Sequence, residues 1–183
     1  RYLKGVPRLV HSFRWQDSPS HIGVYCDSDW AGCRETRKST SGAALMHGGH
    51  LIKAYSKTQA NIALSSAEAE YYSMVKAASE GLGLRAMCLD YGSDIRPWLY
   101  VDASAAIGVA QRVGLGKLRH LDTQTLWLQE AVRERRVGLS KVLGTLNPAD
   151  LMTKHVDVST LERLKVILSL DAKEGRAATA PKT

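Results

Sequence analysis

No apolar run in this sequence approaches the roughly 18–20 residues that a membrane span needs. The basic stretch Arg1–Arg8 is not followed by an apolar core segment, so no secretory leader is expected. Cysteine is scarce: Cys26, Cys33 and Cys88 make no metal-ligand spacing and cannot all pair, which fits inert thiols in a reducing compartment. There is no internal repeat, so a stacked-repeat architecture is not expected. Acid is outnumbered, with 18 Asp and Glu against 25 Lys and Arg and a net charge of +7. That balance points weakly to a polyanionic partner.

What is present suffices for one soluble domain: 183 residues, 44% hydrophobic and 23% charged. The basic residues fall in clusters: Arg34, Arg37 and Lys38; Lys53 and Lys57; Arg112, Lys117 and Arg119; Arg133, Arg135 and Arg136. Each cluster taken alone reads as a solvated face. Spread round acidic strand ends, they read as phosphate contacts.

His21–Gly32 (H-I-G-V-Y-C-D-S-D-W-A-G) is the stretch round which the chain is organised. It begins with the β-formers Ile22, Val24 and Tyr25, breaks into acid at Asp27 and Asp29, and turns at Gly32. Two readings stand for these acids, a turn with solvated carboxylates or a cation site, since burying ionised Asp is costly without compensation. Gly42–His47 and His50–Ser56 read as two further strands about a Gly48-Gly49 turn, giving an antiparallel meander. Ser65–Leu89 keeps a helical beat through Ala67, Tyr71, Met74, Val75, Ala78, Leu82, Ala86 and Leu89. Gly81 and Gly83 weaken its second half, which suggests close packing there.

Pro97–Asp102 reads as a strand leading into a helix. Leu121–Arg135 reads as another helix and Val137–Leu146 as the last strand. Asn147 (as N-cap) and Pro148 then open a terminal helix that continues or restarts through Leu161–Leu170. The start, Arg1–Pro19, has no clean period, and Asp171–Thr183 has no apolar periodicity and is expected to be disordered. This order predicts a mixed α/β sheet of five strands, three antiparallel and then two parallel, with helices on both faces. Asp27 and Asp102 would sit at strand carboxyl ends, where chemistry gathers in such sheets.

Glu68 and Glu70 lie about 200° apart on a helix, so both cannot face one site. Ser65 and Glu68 fit S-x-x-E, a capping box, which gives Glu68 a structural role and leaves Glu70 for chemistry. Asp102 reads either as a helix cap or as a site residue, and Asp150 either as a dipole partner in a first helical turn or as a fourth ligand. Taken jointly, Asp27, Glu70, Asp102 and Asp150 form an oxygen-only set that suits two Mg²⁺ or Mn²⁺ ions. Two such ions roughly 4 Å apart serve phosphodiester hydrolysis.

S-D-W-A-G-C-R-E-T-R-K-S-T-S-G, A-L-S-S-A-E-A-E-Y and N-P-A-D-L-M-T-K together resemble the ribonuclease H domain at the end of the Pol polyprotein of copia-type LTR retrotransposons. R-Y-L-K-G resembles the end of the preceding reverse-transcriptase region, and Arg119–Asp122 (R-H-L-D) resembles that family's K-H-I-D. The likeness covers about residues 1–155. It implies the ribonuclease H fold and Mg²⁺-dependent cleavage of the RNA strand of RNA–DNA hybrids, beside the reverse-transcriptase region of one polyprotein, in cytoplasmic particles. It implies Asp27, Glu70, Asp102 and Asp150 as the catalytic, metal-binding set.

Arg34, Arg37, Lys38 and the helix-start amides of Ser65 and Ser66 are the expected phosphate contacts. The expected division is 1–19 as the tail of the preceding region, 20–155 as the ribonuclease H domain, 156–170 as a helical extension and 171–183 as a disordered tail. The sequence departs from the family in three ways. Val142–Ala149 lacks the His that many cellular ribonucleases H carry there, with His120 and His155 as candidate substitutes. The helix after R-H-L-D differs, and Gly81 and Gly83 replace bulkier residues. A decayed nucleic-acid-binding remnant, or another nuclease or integrase on the same fold, are the rival readings.

Overall fold

The segment starting at His21 sends Ile22, Val24 and Cys26 to one face and Tyr25 to the other, each against apolar neighbours. A strand covered on both faces belongs in the middle of a sheet. The computed structural model, which describes residues 8–114, 116 and 126–175, places it there. In chain order the elements are β1 (Arg8–His11), β2 (His21–Asp29), β3 (Thr40–His47), β4 (His50–Thr58), α1 (Ser66–Asp90), β5 (Arg96–Val101), α2 (Ser104–Gln111), α3 (Trp127–Arg133), β6 (Gly138–Lys141), α4 (Asp150–Thr153), α5 (Val158–Ile167) and β7 (Leu170–Lys173).

The main sheet has the order β4-β3-β2-β5-β6. β4, β3 and β2 are antiparallel, while β2, β5 and β6 are parallel. The expected class, a five-stranded mixed sheet of the ribonuclease H type with helices on both faces, is the one observed.

On one face α1, α2 and α3 cover a core that includes Val24, Tyr71, Met74, Leu99 and Leu128, all fully buried. The other face is smaller: Ala44, Met46, Leu51 and Leu168 pack with Leu151 and Met152 of α4. A buried side chain of this size contributes about 1.5–3 kcal/mol. The α1 face therefore holds the fold together, and the smaller cluster docks α4.

Several boundaries differ from expectation. The buried stripe of α1 takes in Glu68, Ser73, Ala77 and Gly81 but leaves Leu89 47% exposed, because the last turns meet the core through Leu84 and Cys88 instead. The last strand ends at Lys141: Val142 N makes the final bond to β5, donating to Val101 O at 3.0 Å, and Gly144–Leu146 then form a 3₁₀ turn. Asn147 does not cap a helix. Its Oδ1 accepts from Ala149 N at 3.2 Å, and the helix starts at Asp150. Residues 171–173, expected to be disordered, form β7 with Leu170 and pair antiparallel with β1, Arg8 opposite Lys173 and His11 opposite Leu170. Four-residue strands held by backbone hydrogen bonds leave too short a pattern for periodicity to register. Residues 1–7, 115, 117–125 and 176–183, with the expected R-Y-L-K-G helix end, Lys117, Arg119 and His120, lie outside the described residues.

The two α1 glycines separate cleanly. A Cβ on Gly81 would lie 2.8 Å from Pro97 Cβ and 3.0 Å from Val24 Cγ2, whereas one on Gly83 meets nothing within 4 Å. Close packing is thus the reason for Gly81 alone. Gly81→Ala is expected to destabilise by about 1–3 kcal/mol, overpacking outweighing helix propensity, while Gly83→Ala stabilises by up to about 1 kcal/mol. Denaturant unfolding of the two variants checks the opposite signs.

Candidate metal centre

β2 and β5 pair from His21–Arg96 to Tyr25–Tyr100 and then part, while β2 continues along β3 to Asp29. Backbone groups that leave a ladder inside a protein need other partners. Asn147 Nδ2 donates to Cys26 O at 3.0 Å. Ser28 N donates to Glu70 Oε1 at 3.3 Å. The split thus draws in α1 and the α4 segment, and each brings a carboxylate.

Asp27, on the β2 side of the split, is fully buried. Asp102 follows β5 on the other side. It does not cap α2, whose N-cap is Ala103 with no side-chain cap bond. Glu70 reaches the split from α1. Asp27, Glu70 and Asp102 each present an oxygen, and these oxygens lie within 4.8 Å of one another. Glu68 has the structural role expected of it, with one change. Ser65 Oγ accepts from Glu68 N, but Glu68 Oε2 accepts from Leu64 N at 2.8 Å, one residue ahead of the cap.

The electrostatics are those of carboxylates short of cations. Burial, and then the charges of Asp27 and Asp102, push Glu70 from 4.5 up to about 8. Burial likewise pushes Asp27 from 3.8 up to about 6, although hydrogen bonds from Thr153 and Lys154 pull the other way. Glu70 Oε2 is buried without a partner, a condition that costs about 1–3 kcal/mol. An all-oxygen donor set with an orphaned carboxylate oxygen fits a hard divalent cation.

Asp150 stands apart from this trio. It opens α4, and Lys154, one turn on, places Nζ 2.9 Å from Asp27 Oδ1 and 3.0 Å from Asp150 Oδ1. Burial alone would lower the Lys154 ammonium, but Asp27 and Asp150 override it and hold it above the usual range. Thr153 Oγ1 donates to Asp27 Oδ2. Gly42 permits this approach: a Cβ there would lie 2.6 Å from Met152 Cβ and 2.7 Å from Thr153 Cγ2. Thr153 and Lys154 are not among the residues the sequence marks for the site. The i,i+4 spacing of Asp150 and Lys154 was the available signal.

The expected phosphate contacts are placed unevenly. Ser66 lines a depression of about 360 Å³ with Glu70, Asp102 and Ser104. Ser65 is the α1 cap. Arg34 and Arg37 are exposed on the loop after β2, with Lys38 half-buried. Lys53, by contrast, is paired with Glu80 at 2.6 Å. His155 is exposed. A larger hollow of about 520 Å³, lined by His21, Arg96, Trp98 and Arg135, lies at the opposite ends of β2 and β5 and has no carboxylate. Chemistry, rather than volume, marks the site.

No family model matches the chain. Over 172 residues it is 30% identical to the retrovirus-related Pol polyprotein from transposon TNT 1-94 of Nicotiana tabacum, covering 93% of this chain and 13% of that protein. Over 158 residues it is 28% identical to the corresponding polyprotein from transposon RE1 of Arabidopsis thaliana, covering 84% of this chain and 11% of that protein. The chain therefore spans only a small part of the curated relatives it matches. Among solved structures, LC11-RNase H1, isolated from compost by a metagenomic approach, is similar with a TM-score of 0.50 and 15% identity, covering 73% of this chain and 92% of that one. At that identity the likeness concerns the fold.

The raised acids set a pH dependence. Folded Glu70 and Asp27 bind protons more tightly than they would in the unfolded chain, so this contribution to stability is full below about pH 4 and is lost as pH rises through 6 and 8. In chelator, the Tm of the wild type is expected to fall relative to that of Glu70→Gln as pH goes from about 5 to about 8.5. Parallel Tm profiles would refute the assignment.

Proposed function

Given a chain that matches a region of copia-type retrotransposon Pol polyproteins and folds like a ribonuclease H1, we propose that it is a divalent-metal-dependent endonuclease that hydrolyses the RNA strand of RNA–DNA hybrids during reverse transcription. The observation that carries this reading is the convergence of Asp27, Glu70 and Asp102 on one point at the split between two parallel strands.

Asp27, Glu70 and Asp102 would hold one ion, and Asp150 with Asp27 would hold a second. When bound, a pair of Mg²⁺ ions supplies an acidified water for attack and stabilises the leaving 3′ oxygen. The chain's own residues do the rest. Thr153 orients the Asp27 carboxylate, and Ser28 N fixes one Glu70 oxygen and leaves the other without a protein partner. Ser66 on the rim, with the cations Arg34, Arg37 and Lys38 on the loop after β2, contacts phosphates. Substrate choice rests on 2′-hydroxyls of one strand read in a shallow minor groove. The reverse-transcriptase region of the same polyprotein is the natural partner.

One observation favours a second reading, a non-catalytic nucleic-acid-binding module: an ammonium already fills the space between Asp27 and Asp150. A labelled RNA–DNA hybrid, an RNA duplex and a DNA duplex offered in Mg²⁺ separate the possibilities. Cutting of the hybrid's RNA strand alone, lost in chelator, is expected. Asp27→Asn and Asp102→Asn should each reduce it by about a thousandfold or more with an unchanged far-UV spectrum. Binding without cutting favours the module, and cutting of the DNA duplex favours another nuclease.

A further inference from the structure

The two halves of the acidic site are unlike. In the half formed by Asp27, Glu70 and Asp102, Glu70 Oε2 is buried and has no partner. In the other half the Lys154 ammonium bridges Asp27 and Asp150 with two charge-assisted hydrogen bonds. We propose that Lys154 is a displaceable internal counter-ion: it holds Asp27 and Asp150 together when no metal is bound, and it must withdraw before that pair can ligate a second divalent ion. This inference rests on the reading of these acids as metal ligands.

The contact is more than a surface ion pair. Such pairs contribute little when both partners are solvated. Here the Asp27 side chain is 1% exposed and that of Asp150 17%. Removing the ammonium would leave a buried carboxylate without a cation, an expensive state. Yet Lys154 is held less firmly than its partners. It is the residue after α4, its backbone is extended, and its side chain is 41% exposed. A flexible four-carbon stem rooted in a half-exposed position lets the ammonium exchange Asp27 and Asp150 for water. The withdrawal needs no change of fold.

Geometry makes the two occupancies exclusive. A magnesium ion holds its oxygen ligands at about 2.0–2.1 Å. Nζ sits 2.9 Å from Asp27 Oδ1 and 3.0 Å from Asp150 Oδ1, in the space between the two carboxylates that the ion would take. Loading of this half therefore competes with Lys154 at both carboxylates, whereas in the open half only Asp27 is shared with it. Two unequal binding events follow, the weaker one coupled to movement of Lys154.

Isothermal titration of the intact chain with Mn²⁺ and with Mg²⁺ tests this. For the wild type a tighter and a weaker event are expected. Lys154→Met, which keeps the length of the stem without the charge, should strengthen the weaker event by about ten- to a hundredfold and lower the Tm in chelator. Lys154→Arg should leave the weaker event weak. In parallel, the Lys154 ε-methylene NMR signal of the wild type, assigned by its loss in Lys154→Arg, should shift with the second event and not with the first. This keeps the proposal testable even if Lys154→Met does not fold. An unchanged weaker event in a folded Lys154→Met, or a static Lys154 signal through both events, overturns the inference and leaves the nuclease reading intact. Absence of divalent-ion binding in the wild type and in both variants overturns the two together.

Discussion

Two parallel strands that part company before their ends impose the constraint on which this site depends. Up to Tyr25 and Tyr100 the ladder satisfies the backbone, and beyond them it cannot. Hydrogen-bonding groups stranded in a protein interior must be met by side chains from elsewhere. Asn147 meets one of them, at Cys26 O, and Glu70 another, at Ser28 N. The elements recruited for this purpose are the ones that carry the acids. Site formation and backbone satisfaction are therefore one event, and the buried Asp27 is tolerated because α1 and α4 are anchored on either side of it.

Much of this was legible in the sequence, and what was not has physical causes. The three-stranded meander, the long helix and the strand before Asp102 follow from periodicities of two and 3.6 sustained over enough residues to be read. The assignment of Glu68 to the helix cap and Glu70 to the interior follows from the angular separation of two residues on one helix. Long-range choices were less legible. A capping motif shows that Glu68 turns back but not which amide it will find, and it reaches Leu64 rather than Ser65. The apolar stripe of α1 suggests burial to Leu89, yet the last turn packs through Cys88 and leaves Leu89 exposed. Gly81 and Gly83 look alike in the chain, and only the approach of Pro97 distinguishes them.

The site shows the same division. Asp27, Glu70 and Asp102 could be picked out because each stands at the end or on the face of a recognisable element. Asp150 could be picked out as an acid near them, but the lysine one turn later reads as an ordinary surface residue. Its importance comes from Asp27, more than a hundred residues away in sequence. The close docking of α4 that brings the two together turns on Gly42, an unremarkable residue in a strand. Electrostatic consequences of a contact are invisible until the contact itself is known.

The small sheet made by β1 and β7 has a kinetic consequence. Ser12 and Asp171, hydrogen-bonded at its margin, are 159 residues apart in sequence. Closure of so long a loop is entropically unfavourable until the intervening chain has condensed. During vectorial synthesis the meander β2–β4 and helix α1 can assemble locally, whereas Arg8–His11 must wait until β7 has been made. The order of emergence from the ribosome therefore favours a central sheet completed first and fastened along its margin afterwards.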